Sequence, residues 1–207
     1  RYRYGNQPHI GAWNVARLLE CMAPLMDDVG RLQSVLDHCM EFAMNAQSET
    51  WADKLGLGVL QESDEQLVND LLSLLGATEV DMTMFFRGLC SVEKPDIAQV
   101  SDAFYEGEAH DETAWNAWMM QWWERVDGQP DRATMRAANP KYVLRNWMAQ
   151  LAIDAAEQNN DFTLAEELHE LLKRPYDEQP EHEEKWFQKR PEWARHRVGC
   201  SMLSCSS

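Results

Sequence analysis

The stretch that decides the fold is Asp111-Glu-Thr-Ala-Trp-Asn-Ala-Trp-Met-Met-Gln-Trp-Trp-Glu-Arg-Val126. Its tryptophans, at positions 115, 118, 122 and 123, fall on one face at helical spacing. Such a stripe is far more often packed in a core than exposed as a stacking platform for bases. The stretch therefore predicts a buried helix from Asp111 to Val126.

Similar apolar stripes lie on both sides of this helix. They predict helices over residues 11–26, 29–47, 63–75, 81–90, 140–157 and 164–172, with a short helical turn at 51–55 and another short segment after the Lys94-Pro95 break. No alternating, strand-like run of useful length occurs. The sequence predicts an all-α fold, and a repeat architecture is disfavoured because no unit recurs at a fixed period.

Several polar residues are typical of helix boundaries. Asp27-Asp28, the Ser63-x-x-Gln66 capping box and Asp81 mark predicted starts, and Asn139-Pro140 combines a capping residue with a proline at the first helical position. Gly56 and Gly58 mark a stop. Gly56-Leu57-Gly58 also contains a GxG, but it lacks the third glycine and the preceding strand of a nucleotide-binding loop. We interpret it as a helix end.

The charge of the chain is strongly negative and unevenly placed. The formal net charge is −16, and residues 27–126 hold 20 acidic and 5 basic residues, a net of −15. This field disfavours nucleic acid and anionic membranes as partners, because both bind through clustered Lys and Arg. No apolar run approaches the length of a membrane span. A solvated acidic face is the simplest interpretation of the charge.

Three stretches near the C-terminus carry a resemblance to a known family. They are Asn139-Pro-Lys-Tyr-Val-Leu-Arg-Asn-Trp147, Arg174-Pro-Tyr-Asp177 and Gly199-Cys-Ser-Met-Leu-Ser-Cys-Ser-Ser207. Near the N-terminus, Arg1-Tyr-Arg-Tyr-Gly-Asn-Gln-Pro8, Gly11 and Trp13-Asn-Val-Ala-Arg-Leu18 add a fourth match. Together they resemble the selenoprotein O family, pseudokinase-like enzymes that transfer AMP from ATP onto proteins.

The resemblance implies a fold, an activity and a set of partners. It implies that the helices form the C-terminal part of a kinase-like C-lobe, in a parent protein that uses ATP and Mg or Mn and modifies protein substrates. The family's nucleotide-binding groups precede the matched region. The chain also lacks an initiator Met, a targeting peptide and a glycine-rich phosphate loop. We interpret it as a fragment without the N-terminal half, inactive alone and located in the cytoplasm.

A search of the residues for catalytic groups agrees with that interpretation. His169-Glu170 lacks the second His of a zincin helix, and no His-Arg-Asp or Asp-Phe-Gly triplet is present. We predict no catalytic, cofactor-binding or metal-binding residue in the chain. Although Arg17, Asn139, Arg145 and Asn146 match family motifs, we expect them to act in ion pairs and helix caps.

The cysteines divide into two groups. Cys21, Cys39 and Cys90 lie within apolar helical patterns, which predicts three core thiols. Cys200 and Cys205 lie in a Gly/Ser-rich tail, where we expect exposure and a redox role; an inert tail and a metal site are the alternatives. In eukaryotic members of the family, the position of Cys205 holds selenocysteine. That resemblance implies a redox-dependent bond from Cys205 in the tail to the kinase-like core.

We divide the chain into a helical domain, residues 1–174, and an extended arm with a redox tail, residues 175–207. The aromatic residues Trp186, Phe187 and Trp193 are expected to pin the arm to the helices. Two other functions are open: a non-enzymatic acidic interaction module, and a thiol redox module using Cys200 and Cys205. Apolar surface that would face a missing half also predicts a tendency to form homodimers.

Overall fold

The computed structural model describes residues 7–26, 28, 30–106 and 110–200, and the side chains from His9 onward. The chain divides into two compact units, Arg1–Trp51 and Ala52–Ser207. Within the described residues, the only β pairing is an isolated bridge between Val80 and Phe104. The predicted all-α fold is confirmed.

The first unit is built from two helices. Helix α1 spans Gln7–Met22, and a 3-10 turn at Ala23–Leu25 follows it, as expected from Pro24 near the helix end. Helix α2 begins at Gly30, whose N–H donates to Asp28 Oδ1 at 2.9 Å. Asp28 therefore serves the predicted helix start, whereas Asp27 lies outside the described residues.

Helix α2 is longer than the sequence predicted. It runs without a break over Gly30–Leu55, so the predicted end near Gln47 and the separate turn at 51–55 were wrong. No Gly or Pro interrupts the polar stretch between Asn45 and Thr50, and backbone hydrogen bonding continues through it. The helix ends where Gly56 and Gly58 adopt positive φ values of 65° and 74°, which confirms the predicted stop.

The first unit buries few of its apolar side chains. Leu32 is buried, but many large apolar residues are more than a third exposed: Trp13, Leu18, Met22, Leu25, Val35, Met40, Phe42 and Met44. Cys21 and Cys39 are exposed as well, so the prediction that they are core thiols was wrong. Both lie in the unit that leaves many of its large apolar side chains exposed, so an apolar helical pattern did not indicate burial there.

The second unit contains the remaining helices. They are α3 (Glu65–Ala77), α4 (Met82–Leu89), α5 (Glu112–Arg125), α6 (Arg132–Ala138), α7 (Asn146–Asn159), α8 (Thr163–Leu172), α9 (Pro180–Trp186) and α10 (Glu192–Arg195), with 3-10 segments at Glu62–Asp64 and Ile97–Ala103.

Helix α5 forms the centre of the second unit. Trp115, Trp118 and Trp122 are buried, as predicted, while Trp123 is only partly buried. Trp118 Nε1 donates to the carbonyl of Leu67 at 2.9 Å, and Trp122 Nε1 donates to that of Leu55 at 2.8 Å. These bonds satisfy polar atoms that burial would otherwise leave unpaired. The helix thus ties α2 and α3 to the core.

The helix starts confirm the predicted cap at Asp81 and correct the predicted capping box. Asp81 accepts from Met84 N at 3.0 Å, as predicted, and Asp111, which was not predicted as a cap, accepts from Ala114 N at 3.0 Å. The capping box near α3 joins Gln61 to Asp64 rather than Ser63 to Gln66. Asp64 was the better acceptor because Arg125 also pairs with it, at 2.6 Å.

The predicted start of α7 at Asn139-Pro140 was wrong. Asn139 is the C-cap of α6, and α7 begins only at Asn146. The intervening residues turn their polar groups toward other parts of the unit, which outweighs the local preference for helix. The turn predicted at Asn159-Asn160-Asp161 is confirmed, with Asn160 at a φ of 52°.

The arm contains short helices and shares a buried cluster with α7 and α8. Trp186, Ala194 and Cys200 pack with α7 and α8 residues, among them Trp147, Met148 and Leu168. Phe187 is partly buried against the same cluster. Trp193, by contrast, is 43% exposed.

Candidate functional site: the clasp

The region with the densest polar contacts is Asn139–Asn146, the core of the sequence motif, which we call the clasp. Its backbone leaves the helical path after α6 because Pro140 has no N–H to continue a helix. The N–H groups of Lys141 and Tyr142 instead donate to the carbonyl of Pro175, at 2.8 and 3.0 Å. The clasp is therefore joined to the first residue of the arm.

Asn139 ties the clasp to the end of α2. Its Oδ1 accepts from Lys54 Nζ at 2.7 Å, and its Nδ2 donates to the carbonyl of Lys54 at 2.9 Å. The same amide lies 3.8 Å from the buried Sγ of Cys90. Burial lowers the pKa of Lys54 and raises the pKa of Cys90. Both changes favour the neutral form, which suits a closely packed site.

Arg87, on α4, lies beneath the clasp and is 7% exposed. Its Nη1 donates to the carbonyls of Arg136 and Asn139, each at 3.0 Å. Its Nη2 donates to the carbonyl of Tyr176 at 3.1 Å and to Glu178 Oε1 at 2.6 Å. The planar guanidinium thus joins the end of α6, the clasp and the arm through a single side chain.

Lys141 fastens the arm through two ion pairs. Its Nζ, on a side chain only 4% exposed, lies 2.9 Å from Glu178 Oε2 and 2.8 Å from Glu183 Oε2. Burial disfavours its charged form, but the hydrogen bonds that Lys141 donates to Glu183 and Glu178 outweigh burial, so the pKa of Lys141 is raised. The hydrogen bond from Lys141 is also the main cause that lowers the pKa of Glu178. Both shifts hold the pair charged at neutral pH.

Tyr142 and Arg145 complete the clasp. The hydroxyl of Tyr142 lies 2.9 and 3.0 Å from the carbonyls of Glu178 and Gln179. Arg145 forms a two-pronged ion pair with Asp81, with Nη2 2.9 Å from Oδ1, and Nη1 also donates to the carbonyl of Gln188 at 2.7 Å. Since Asp81 caps α4, the ion pair connects that helix start to the clasp, and the bond to Gln188 adds the arm.

The last described residues run along α7. Arg197 Nη2 lies 2.8 Å from Asp154 Oδ1, and Asn146 Nδ2 donates to the carbonyl of Cys200 at 3.3 Å. A Cβ at Gly199 would lie 3.7 Å from Gln150 Oε1. Residues 146, 150 and 154 are spaced by four and share a helix face. The end of the arm therefore lies antiparallel to α7, with Cys200 at the helix start.

This arrangement corrects the prediction for Cys200. The residue is buried, 9% exposed, in the cluster with Trp147 and Trp186, although the Gly/Ser-rich tail favoured exposure. The α7 residues that Cys200 contacts are more than 40 residues away in sequence, so local composition could not indicate them. Cys205 lies outside the described residues.

Three of the four family-matched residues have the predicted structural roles, whereas Asn146 is not the N-cap of α7 and donates from Nδ2 to the carbonyl of Cys200. Arg17 pairs with Glu20, Arg145 pairs with Asp81, and Asn139 caps α6. Sequence reasoning missed Arg87, the most connected residue of the site. A signal was available, since Arg87 is a basic residue near Phe85, Phe86 and Leu89 in a strongly apolar helix. A charge buried in such a helix needs partners.

No group of three or more His, Cys, Asp or Glu side chains comes together in the described part of the chain as the ligands of a metal ion would. Among the described helices, none has both the length and the apolar character needed to cross a bilayer.

Comparison with known proteins gives a consistent result. The family model described as protein adenylyltransferase SelO matches residues 1–173. A protein nucleotidyltransferase YdiU of Flavobacterium johnsoniae is 45% identical over the whole chain and 42% of its own length, and one of Xanthomonas campestris pv. campestris is 45% identical over the whole chain and 41% of its own length. The chain thus spans about two fifths of the length of these relatives. It belongs to the SelO family of protein adenylyltransferases.

Proposed function

We propose that this chain is the helical C-terminal part of a protein that transfers AMP from ATP to Ser, Thr or Tyr hydroxyls of other proteins. In that reaction the hydroxyl oxygen bonds to the α-phosphorus, the bond to the β-phosphate oxygen breaks, pyrophosphate leaves, and a base takes the hydroxyl proton. Family membership across residues 1–173 is the observation that carries this proposal.

ATP and its Mg or Mn do not fit the described residues of this chain. The described residues contain no group of three or more His, Cys, Asp or Glu side chains that could hold a metal ion. ATP sites of this kind use carboxylate or Asn ligands together with a phosphate cradle. Since the chain spans about two fifths of its relatives, we assign these groups to the rest of a longer protein. The chain alone is expected to be inactive.

The contribution of this chain is then mechanical support within a kinase-like C-lobe. The clasp, Arg87 and Asp81 fix α4, α6, α7 and the arm to one another through buried charges and backbone carbonyls. Such a rigid body can hold catalytic segments that pack against it within the narrow tolerance that phosphoryl chemistry requires.

Cys205 remains our proposed redox residue, and Cys200 is now assigned to packing. A thiol in the cluster with Trp147 and Trp186 cannot take part in exchange without opening the end of the arm, because exchange requires access for the attacking sulfur. In the proposed step the Cys205 thiolate attacks a disulfide, a new S–S bond forms to Cys205, the original S–S bond breaks, and its other sulfur leaves as a thiolate. This exchange is expected to alter the activity of the longer protein.

The test is an intact-mass measurement on the longer protein after incubation with ATP and Mg or Mn, with and without reductant. The proposal expects a gain of one AMP that depends on reductant, and no gain for the 207-residue chain alone. Cys205→Ser should remove the reductant dependence, while Cys200→Ser should keep it. Absence of AMP under every condition would contradict the proposed activity. Labelling that ignores reductant would contradict only the redox role.

A further inference from the structure

A cavity of about 370 Å³ lies beside the clasp, within the size range of small-molecule sites. One wall is the α4 face that carries Met84, Arg87 and Gly88, and the second is the 3-10 segment Ile97–Ala103. The third is the arm, through Phe187. The lining shares Arg87, Lys141, Glu178 and Glu183 with the ion pairs described above, whereas the side chains of Arg136 and Asp102 take no part in those pairs.

The two ends of this cavity can be placed from backbone contacts. Asp81 N donates to the carbonyl of Ala103 at 2.8 Å, so the end of the 3-10 segment lies at the start of α4. A Cβ on Gly88 would lie 3.2 Å from Val100 Cγ1, so the middle of the segment lies further along α4. The segment therefore runs antiparallel to α4, and Met84 and Ser91 mark opposite ends about 10 Å apart.

The end near Ser91 is cationic. Arg136 Nη2 lies 3.5 Å from Ser91 Oγ, and no carboxylate of the described residues forms an ion pair with Arg136. The backbone of Arg136 is fixed by Arg87, which donates to its carbonyl at 3.0 Å. A guanidinium beside a hydroxyl is a suitable receptor for a carboxylate.

The opposite end is anionic. Asp102 lines the cavity on the part of the 3-10 segment that reaches the start of α4, and it forms no ion pair with another described residue. The remaining carboxylates of the lining, Glu178 and Glu183, are already engaged by Lys141. Met84, Val100 and Phe187 supply apolar surface to the lining.

We infer that this cavity binds a short apolar peptide segment with a cation at one end and a carboxylate at the other. Three extended residues span about 10 Å, the separation of the two ends. The C-terminal carboxylate would meet Arg136, the N-terminal ammonium would meet Asp102, and the central side chain would lie on the apolar wall. The lining holds three acidic and three basic side chains, which suits a ligand of no net charge.

The test uses the tripeptide Ala-Leu-Ala in forms with free ends, an acetylated N-terminus, an amidated C-terminus, or both. Binding to the 207-residue chain is followed by chemical shifts of backbone amides, with that of Gly88 as the reporter inside the cavity. The free peptide should shift the Gly88 signal and bind most tightly. Each blocked end should weaken binding about two- to fivefold, the effect of a partly exposed ion pair.

Two variants sharpen the assignment. Arg136→Gln should weaken every peptide with a free carboxylate and leave the amidated peptides unchanged, and Asp102→Asn should do the same for the free ammonium. Arg132→Gln, on the same helix as Arg136 but outside the cavity, and Glu157→Gln, at the exposed end of α7, are matched controls that should change nothing. This crossed pattern separates contact with a given peptide end from a general loss of folding.

Two results would overturn the inference. One is equal binding of the free and doubly blocked peptides, which would show that the charged ends make no contact. The other is the absence of any shift at Gly88 at millimolar peptide.

Discussion

The second unit contains two regions that hold distant segments together by different means. Around α5, Trp115, Trp118 and Trp122 bury large apolar surfaces and use their ring N–H groups on backbone or hydroxyl oxygens. Around the clasp, Arg87 and Lys141 hold distant segments together with charged side chains. The first region gains stability from area removed from water, and the second gains positional precision, because each charge accepts only a few geometries.

The strongest way to break this comparison is to remove a ring from the α5 region. Trp122→Ala should lower the free energy of unfolding by about 3–5 kcal/mol, because it leaves a large cavity and an unpaired carbonyl at Leu55. Urea unfolding followed by circular dichroism measures this. Trp193→Ala, at a residue that is 43% exposed, is the control and should cost about 1 kcal/mol or less. Equal costs would contradict a dominant core at α5.

The corresponding change in the clasp is Arg87→Leu. It should cost about 2–4 kcal/mol, since the carbonyls of Arg136, Asn139 and Tyr176 lose their shared donor. Arg132→Leu is the matched control, because Arg132 donates to one carbonyl, that of Cys90, at 3.3 Å. The same unfolding measurement applies. If Arg87→Leu cost more than Trp122→Ala, the charged region and not the apolar one would be the main source of stability.

A smaller change tests how pH acts on the clasp. Glu178→Gln should cost at most about 1 kcal/mol at neutral pH, because the Glu178 side chain is 60% exposed and water screens its ion pairs. The pKa of Glu178 is lowered in the folded chain, so its contribution is complete above the ordinary glutamate pKa, about 4.3, and is lost as pH falls through the lowered pKa.

The difference in unfolding free energy between the parent chain and Glu178→Gln should therefore stay constant from pH 6 to 8 and vanish in acid. Lys141 has the opposite sign: its raised pKa means that its contribution is lost only as pH rises through a value above that of an ordinary lysine. A difference that instead grew in acid would show that Glu178 is not held in its charged form by Arg87 and Lys141.

The mildest test leaves stability unchanged and measures thiol access in the Cys205→Ser background. Cys21 and Cys39 are exposed, and Cys90 and Cys200 are buried. Iodoacetamide at pH 8 should modify the first pair quickly and the second pair only as fast as the structure opens, since burial limits access and raises the pKa of Cys90. Peptide mass mapping over time reads each site. Rapid modification of Cys200 would contradict its place beside Trp147 and Trp186.

The sequence by itself determined what depends on local periodicity and local backbone chemistry. It predicted the all-α fold, the buried face of α5, the cap at Asp81 and the stop at Gly56. Its motifs also led to the family that the comparisons then showed. Each of these depends on side chains a few residues apart, so a single stretch of sequence contains the whole signal.

Only the tertiary structure decided where the charges and thiols go. Arg145 meets Asp81 across 64 residues, Arg87 meets Glu178 across 91, and Asn146 meets Cys200 across 54. Local preference favoured a helix from Pro140 and an exposed Cys200, and both expectations failed for one reason. A buried polar group or a packed side chain gains more from a partner brought close by folding than from its neighbours in the chain.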